Sequence, residues 1–392
     1  MNKFVRALYP HAQRWARFPF SATYSVVSAV RGIRPGSVLL ACTRSGLLTD
    51  NLAAIEARLD RGKYSIREFY FPSSLGFFAR TWRGLRFAVA MARTHYTIVD
   101  DVFPPVYAIR VRPGARLIQA WHALGALKRM GYSRHGGPGG PVATSITHKN
   151  YTDVIVSGEG VRDDYAEAFG VDRGVVRATG VPRSDLFFDA EAQARAIEEV
   201  YETWPDWRGR RIILFAPTFR GPTRAKAHYP GDFVDLERLG EALGDEDLLV
   251  IRMHPFVTGR WEIPDRYRDR IVDAGAYPEF NHLLLVCDLL ITDYSSAIFD
   301  YALLRRPVIL YVPDLEEYEA GRGFYYPFED YVYGSVARRF EDLVAALGNR
   351  DVDEGKLNTF CECFLNRCDG AATERFVRTI FGPVVLEEAG DG

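Results

Sequence analysis

The residues best suited to chemistry in this sequence lie around positions 289–322. An apolar run, Leu283–Thr292, predicts a strand, and a second run, Pro307–Val312, predicts the next strand of a βαβ unit. Between them Asp293-Tyr294-Ser295-Ser296 leads into a predicted helix, Ala297–Leu304. Asp293 and Ser295 are good N-cap residues. Hydroxyls and free backbone N–H groups at a helix start favour an anion, because the helix dipole adds to the hydrogen bonds. Ser295 and Ser296 are therefore predicted to bind a phosphate group.

Four further segments place polar residues just after predicted strands. Each is weak evidence alone, since a lone histidine or arginine at a strand end is usually structural. Ligands of parallel sheets bind outside the carboxyl ends of the strands, so together the segments indicate one site. Their candidate residues are His122 with Lys128 shortly after it, Arg183 in the turn Gly180–Asp185, Thr218 with Arg220, and His254.

Strand-like and helix-like segments alternate through both halves of the 392 residues. Such alternation predicts an α/β protein with parallel sheets covered on both faces. The length favours two domains, and a polar connector begins near Asp189. We therefore expect two Rossmann-like domains facing a cleft, over residues 37–188 and 189–392, preceded by a separate segment at 1–36.

The segment 1–36 is basic and aromatic. No acidic residue precedes Asp50, whereas seven Lys and Arg residues do. A second basic and aromatic stretch, Phe77–Arg93, places arginines at helical spacing beside Phe78 and Trp82. Amphipathic segments of this kind bind anionic membrane surfaces. The alternative interpretation is a solvated basic face whose aromatic residues belong to the core.

Several other classes of protein are disfavoured. No apolar run reaches the length of a transmembrane helix, and no nucleic-acid-binding motif accompanies the basic segments. Cys361, Cys363 and Cys368 cluster without a nearby histidine, so we expect helix packing there and no metal site. The odd number of cysteines, five, fits a reducing compartment.

Taken in order, these motifs resemble the CDP-glycerol glycerophosphotransferase family, the teichoic acid primases and polymerases of bacterial cell-wall synthesis. One departure from the family pattern follows Trp121-His122, where Ala123-Leu124-Gly125 replaces Gly-Thr. Either the backbone there is less able to approach a phosphate, or Gly125 serves after a shifted turn. The resemblance covers roughly Gly46 to Glu329 and rests on Gly46, Asp50-Asn51, Trp121-His122, Leu127-Lys128, Gly180–Asp185, Pro217–Arg220, His254-Pro255, Thr292–Ser296, Asp300-Tyr301, Asp314–Tyr318 and Arg322-Gly323-Phe324.

The resemblance implies a two-domain glycosyltransferase-B fold and transfer of a polyol phosphate. The donor would be CDP-glycerol or CDP-ribitol, bound mainly by the second domain. A hydroxyl of a prenyl-pyrophosphate-linked saccharide or of a polyol-phosphate chain would attack the β-phosphorus, and CMP would leave. The enzyme would work at the cytoplasmic face of the membrane as a peripheral protein. No cofactor would be required, and Mg²⁺ would be at most an assisting ion carried by the substrate.

The implied roles follow the needs of phosphoryl transfer, which are positioning and stabilisation of charge. His254 would donate a hydrogen bond to the leaving phosphate, and His122 would either deprotonate the acceptor hydroxyl or contact a phosphate. Asp300 would bind a donor hydroxyl or be a helix-surface carboxylate. Arg322 would grip a phosphate or hold the loop Asp314–Tyr318. The remaining assignments are Thr218, Arg220, Ser295 and Ser296 on the donor side, and Asp50, Asn51, Lys128 and Arg183 on the acceptor side or in the cleft.

Two other functions stay open at this point. A glycosyltransferase or epimerase of similar fold would use a UDP-sugar and would prefer a uridine nucleotide. A non-catalytic relative would dock on the membrane as part of an assembly and would tolerate loss of both His122 and His254.

Overall fold

The computed structural model describes residues 18–44, 46–72, 74–137, 140–221, 226–257, 259 and 261–382. Two six-stranded sheets form the framework, and every strand pair in both sheets is parallel. Helices cover the faces of both sheets, so the expected pair of Rossmann-like units is confirmed. The long apolar runs of the sequence become central strands because both of their faces are buried.

The first sheet has the strand order β2-β1-β3-β4-β5-β6. Residues 18–30 form helix α1, which leads into β1. The following elements are β1 Arg34–Cys42, α2 Asp50–Arg58, β2 Ser65–Tyr70, α3 Phe77–Ala92, β3 Thr94–Val99, β4 Arg116–Gln119, β5 Asp153–Val156, α4 Arg162–Phe169 and β6 Val176–Ala178.

The second sheet has the order β12-β11-β10-β7-β8-β9. Helix α5, Ala190–Thr203, connects the two sheets and packs against α7. The elements that follow are β7 Arg211–Phe215, α6 Leu236–Ala242, β8 Asp247–Ile251, β9 Ile271–Asp273, α7 Phe280–Val286, β10 Leu289–Thr292, α8 Ala297–Ala302, β11 Val308–Tyr311, α9 Leu315–Arg322, α10 Phe328–Tyr331, β12 Ser335–Ala337, α11 Phe340–Ala346, α12 Glu354–Leu365 and α13 Ala372–Phe381.

The predicted strand Leu283–Thr292 is wrong over its first half. Residues 283–286 belong to helix α7, and only Leu289–Thr292 form a strand. Residues 283–287 and 289–291 are apolar on either side of Asp288, and a short apolar run without periodicity fits a buried helix as well as a buried strand. The polar residue Asp288 marks the change: its carboxylate accepts a hydrogen bond from Ile212 N at 2.8 Å and ties the start of β10 to β7.

The chain crosses between the two sheets at its end. Helix α13 returns to the first sheet, where the Asp185 carboxylate accepts bonds from Ala372 N and Thr373 N at 2.9 and 2.8 Å. Arg116 of β4 also donates to the carbonyl of Ile380 at 2.5 Å. The described end of the second predicted domain therefore packs on the first, and the exact boundary at 188/189 stays a prediction.

The described part of segment 1–36 is integrated with the first sheet. Phe20 and Tyr24 of α1 are buried in the core, and Gly84 of α3 leaves room for the Phe20 ring, which a Cβ there would meet at 2.5 Å. Residues 1–17 lie outside the described residues. From position 18 onward the aromatic residues of this segment contribute partly to the core, as the alternative interpretation expected.

The two units meet at Gly125. Its φ is +62°, and a Cβ at this position would meet the Phe299 ring of α8 at 2.2 Å. Its amide donates to Ser157 Oγ at 2.9 Å. The glycine that follows the altered motif therefore permits close packing between the units, because no side chain would fit there.

Candidate functional site

A cleft of about 540 Å³ lies between the two sheets. Its lining comes from the carboxyl ends of strands in both units, where ligands of parallel sheets bind. Most of the predicted site residues share this cleft, whereas Lys128, Arg220 and Arg322 do not line it directly. The predicted residues in its wall are Asp50, Asn51, His122, Arg183, Thr218, His254, Ser295, Ser296 and Asp300.

The backbone that carries His122 is held in an unusual conformation. Trp121 has φ +47°, a region that a bulky side chain rarely adopts. Its amide donates to Gln119 Oε1 at 2.9 Å, and its carbonyl accepts a bond from the Asn51 amide. Arg183 Nε donates to the His122 carbonyl at 3.0 Å. Asn51 and Arg183, predicted to lie in the cleft, thus fix the direction of His122.

The His122 imidazole faces a carboxylate that the sequence analysis did not single out. Its Nδ1 lies 3.6 Å from Asp101 Oδ1. Removal of water by the surrounding protein lowers the His122 pKa; Asp101 opposes this effect, and Arg183 adds to it. His122 is therefore neutral near pH 7, as a proton acceptor must be.

Asp100, Asp101 and Arg44 are cleft residues that sequence reasoning missed. Asp100 is 1% exposed, accepts a bond from the Thr49 hydroxyl, and has its pKa raised to about 6, mainly by burial. The signal was present, because the Asp100-Asp101 pair directly follows strand β3 and Arg44 follows β1. The same rule of strand ends that identified His122 would have found all three.

Arg183 and Asp300 form a buried ion pair across the cleft floor. The side chains are 11% and 5% exposed, and Arg183 Nη1 lies 2.6 Å from Asp300 Oδ1. Burial raises the pKa of Asp300, and the adjacent guanidinium opposes that rise. Asp300 is therefore not a helix-surface carboxylate; it lines the cleft, so its contact with a donor hydroxyl stays a prediction. Removing one member of such a pair costs about 3–5 kcal/mol, because the other charge stays buried.

Arg220 is likewise occupied by carboxylates. Asp314 accepts two bonds from it, at 2.6 and 2.9 Å, and Asp293 accepts a third at 2.9 Å. Asp293 also accepts from the Thr218 amide at 2.8 Å and from its hydroxyl. Asp293 therefore serves as an ion-pair partner and not as the expected N-cap. The hydrogen-bonding groups of Arg220 face these carboxylates, so Arg220 positions β7, β10 and α9 relative to one another.

His254 has a defined protonation state. Its Nδ1 accepts a hydrogen bond from Phe256 N at 3.1 Å, so the neutral ring carries its proton on Nε2. Burial, followed by the charges of Lys128 and Arg252, lowers its pKa to about 4. His254 can thus donate a hydrogen bond from Nε2 at neutral pH without bearing a positive charge.

Lys128 belongs to the first unit but lies close to the second. Its backbone forms an isolated antiparallel bridge with Phe324, just after Arg322. Burial and the neighbouring Arg322 lower the pKa of its ammonium group to about 8, while Asp293 opposes this. In the described part of the chain, Lys128 and Arg322 have no ion-pair partner. Arg322 therefore does not hold the loop Asp314–Tyr318 by a salt bridge, and both cations remain able to meet an anion beside His254.

Ser295 and Ser296 lie at the start of α8, with half-buried side chains. Ser295 Oγ accepts a bond from Ala297 N at 3.2 Å, whereas the Ser296 side chain forms no cap. Asp50 and Glu279 also line the cleft, and burial followed by Asp50 raises the pKa of Glu279. Both units therefore contribute a histidine, hydroxyls and carboxylates to the cleft.

Across the described ranges, no group of three or more His, Cys, Asp or Glu side chains is arranged to hold a metal ion. Cys361 and Cys363 are partly buried in α12, and Cys368 is buried after it. Burial raises the pKa of Cys368 to about 11, which favours the protonated thiol.

Comparison with known proteins gives a consistent family. The family described as CDP-glycerol:poly(glycerophosphate) glycerophosphotransferase matches residues 23–382. The chain is 42% identical to the teichoic acid poly(ribitol-phosphate) polymerase of Bacillus spizizenii over 78% of its own length and 49% of that protein. It is 37% identical to a teichoic acid ribitol-phosphate polymerase of Staphylococcus aureus over 93% of its length and 72% of that protein. The chain thus spans about half the length of the first relative.

A solved structure shares the fold. The wall teichoic acid polymerase TagF, as an H444N variant soaked with CDPG, superposes with a TM-score of 0.76 over 96% of this chain and 97% of that one. The sequence identity is 19%, so this likeness concerns the architecture.

The electrostatic contact between Lys128 and His254 can be tested by NMR. In Lys128→Met the His254 pKa should rise from about 4 toward the ordinary value of about 6.5, because a nearby positive charge is removed. Lys149→Met is the matched control. It also removes one lysine charge, but the Lys149 ammonium lies over the Tyr132 ring at 4.2 Å and is not among the charges that lower the His254 pKa. A His254 titration that is identical in wild type and Lys128→Met would contradict the proposed contact.

Proposed function

The chain belongs to the CDP-glycerol:poly(glycerophosphate) glycerophosphotransferase family, and we propose that it transfers a polyol phosphate from a CDP-activated donor to an acceptor hydroxyl. The acceptor is a lipid-linked saccharide or polyol-phosphate chain in the synthesis of teichoic acid or a related cell-surface polymer. The observation that carries the proposal is one cleft that contains His122 from the first unit and His254, Ser295 and Ser296 from the second.

The proposed donor is CDP-ribitol in preference to CDP-glycerol. Both relatives described above are ribitol-phosphate polymerases by name, at 42% and 37% identity. The donor pyrophosphate would lie at Ser295 and Ser296, with Arg44 and Arg252 in the wall of the same cleft and Lys128 and Arg322 as further cations outside its lining. No resident cofactor is needed in this scheme, and a Mg²⁺ ion would arrive with the substrate.

The proposed reaction is a displacement at the β-phosphorus. His122 accepts the proton of the acceptor hydroxyl, whose oxygen forms the new P–O bond. The bond to the α-phosphate oxygen breaks, its electron pair stays on CMP, and His254 Nε2–H donates to the developing negative charge. A neutral donor fits this role because its hydrogen bond strengthens as the charge grows. Asp101 would stabilise the imidazolium formed at His122.

Attachment to an anionic membrane is supported by the outer surface of the first unit. Phe77, Phe78 and Trp82 of α3 are 77%, 87% and 65% exposed, whereas Phe87 on the opposite face is buried. Within the described residues, no helix is long and apolar enough to cross a bilayer. Exposed aromatic residues beside arginines suit the interface of a membrane. We propose peripheral attachment at the cytoplasmic face, where a prenyl-pyrophosphate-linked acceptor would be reached.

The donor assignment is tested by CMP release from CDP-ribitol, CDP-glycerol and a UDP-sugar with a lipid-linked acceptor analogue. We expect release of CMP from CDP-ribitol, with slower release from CDP-glycerol. Activity with the UDP-sugar alone would instead support the glycosyltransferase or epimerase alternative. Complete inactivity with every donor would favour the non-catalytic relative.

His254→Ala should reduce turnover by about 10²–10³, as loss of a transition-state hydrogen-bond donor does. The measurement is the single-turnover rate of CMP release at saturating donor. His135→Ala, an exposed histidine whose ring meets only the Pro141 carbonyl in the described contacts, is the control and should keep full activity. A wild-type rate in His254→Ala would remove this residue from the mechanism.

The pH dependence of kcat/KM tests His122 as the base. Activity should rise with pH through the His122 pKa, which lies below 6.5. Asp101 raises this pKa, so Asp101→Asn should move the rising limb to lower pH by a few tenths to about one unit. Asp163→Asn, an exposed carboxylate paired with Arg173, should leave the profile unchanged. A shift of the limb to higher pH in Asp101→Asn would exclude this arrangement.

A further inference from the structure

A second cavity, of about 350 Å³, lies at the other end of the first sheet. Arg34, Ser65 and Thr94, the first residues of β1, β2 and β3, contribute to its wall. It is therefore at the amino ends of the strands, opposite the cleft. Helix α3 forms the other wall, so the cavity opens between α3 and the edge strand β2.

Four arginines converge on this cavity: Arg34, Arg67, Arg86 and Arg93. No Asp or Glu lines it among the described residues. Within the same part of the chain, none of the four guanidinium groups has a hydrogen-bond or ion-pair partner, and the buried Arg93 Nε is unsatisfied. Burial, followed by the charges of Arg34, Arg31 and Arg67, lowers the pKa of Arg93, which shows how closely these cations crowd it.

Arg34, Arg67 and Arg86 are exposed and Arg93 is partly buried, and their surroundings differ from those of three arginines that the fold pairs with carboxylates. Arg116 faces Asp153 at 2.6 Å, Arg183 faces Asp300, and Arg211 faces Asp247 at 3.1 Å. In each of those places the sequence supplies a carboxylate. Like charges held together without a counter-charge repel one another and raise the local concentration of anions. The cavity therefore favours binding of an anion that comes from outside the chain.

The α3 wall, which also carries Arg86 and ends at Arg93, is otherwise apolar. Trp82, Leu85 and Val89 of α3 line the cavity, and Trp82 and Val89 are 65% and 41% exposed. The exposed surface continues along α3 to Phe77 and Phe78. An inorganic anion gains nothing from such a wall, whereas an anion attached to a hydrocarbon chain does.

We propose that this cavity binds the phosphate headgroup of an anionic membrane phospholipid, with the guanidinium groups on the phosphate and Trp82 and Val89 beside the acyl chains. Arginine suits this role because its planar fork binds phosphate oxygens in pairs. The inference rests on the proposed attachment to a membrane. It does not depend on the transfer reaction, since the cavity and the cleft lie at opposite ends of the sheet.

The direct test is calorimetric titration with dihexanoyl phosphatidylglycerol kept below its micelle concentration. Dihexanoyl phosphatidylcholine, inorganic phosphate and farnesyl pyrophosphate are titrated in parallel. The variant is Arg67→Gln/Arg86→Gln, which changes two exposed side chains. The matched control is Arg195→Gln/Arg268→Gln, which removes the same charge from two exposed positions, one in α5 and one in a turn, far from the cavity in sequence.

We expect saturable binding of phosphatidylglycerol to the wild type and the control, and affinity at least about tenfold weaker in Arg67→Gln/Arg86→Gln. Unchanged affinity in that variant would overturn the proposal. Equal binding of phosphatidylcholine or of inorganic phosphate would also overturn it, because the headgroup charge or the acyl chain would then be irrelevant. If farnesyl pyrophosphate bound more tightly than phosphatidylglycerol, the ligand of the cavity would be a prenyl phosphate and the assignment to a phospholipid would be wrong.

Sedimentation with vesicles of phosphatidylcholine and phosphatidylglycerol, measured beside CMP release, tests lipid binding separately from the proposed transfer reaction. Sedimentation with them should weaken in Arg67→Gln/Arg86→Gln, while CMP release with a soluble acceptor stays at the wild-type rate. If Arg67→Gln/Arg86→Gln sediments less with vesicles but binds the short-chain lipid as tightly as the wild type, the proposed headgroup site is wrong. The two arginines would then act only through the net charge of the surface. Absence of CMP release from the wild type would count against the transferase alone.

Discussion

The buried pair of Arg183 and Asp300 is the interaction on which the rest of the cleft depends. One guanidinium contacts Asp300 in the second unit, the His122 carbonyl in the first, and Asn281 of α7 at 3.4 Å. Its own amide donates to Asn51 at 3.0 Å. A charge removed from water requires good geometry from all its partners, so this group fixes the position of one unit against the other. The position of His122 is fixed by the same arginine, because Arg183 donates a hydrogen bond to the His122 backbone carbonyl.

The chemistry proposed for the cleft relies on two histidines whose pKa values are lowered but whose partners differ. Burial and then the charges of Lys128 and Arg252 lower the pKa of His254, and the hydrogen bond that Nδ1 accepts from Phe256 N leaves its proton on Nε2. The surrounding protein also lowers the pKa of His122, but this side chain is 55% exposed and faces Asp101, which can stabilise the proton once it has been taken. One ring is therefore set to donate and the other to accept. The Arg220 guanidinium faces two carboxylates, Asp293 and Asp314, whereas Lys128 and Arg322 have no ion-pair partner within the described residues.

The two ends of the first sheet differ in the charged side chains that line them. At the carboxyl ends Asp50, Asp100 and Asp101 stand beside Arg44 and Arg183, so charges of both signs surround the acceptor side. At the amino ends the arginines converge without any carboxylate among the described residues. Helix α3 carries its exposed aromatic residue Trp82 in the wall of this amino-end cavity.

The sequence by itself determined the α/β class, the two-unit organisation and nine of the residues in the cleft wall, because these depend on local patterns. Apolar runs fix strands, and polar residues after them must gather at one edge of a parallel sheet. Local patterns could not tell helix from strand in 283–292, nor assign partners to Arg183, Asp300 and Arg220. Ion pairing depends on which side chains meet across the folded chain, over 117 residues for Arg183 and Asp300. Only the tertiary structure could therefore decide that Arg183 and Asp300 pair in the cleft wall beside His122 and His254, whereas Arg220 pairs with carboxylates outside the cleft lining.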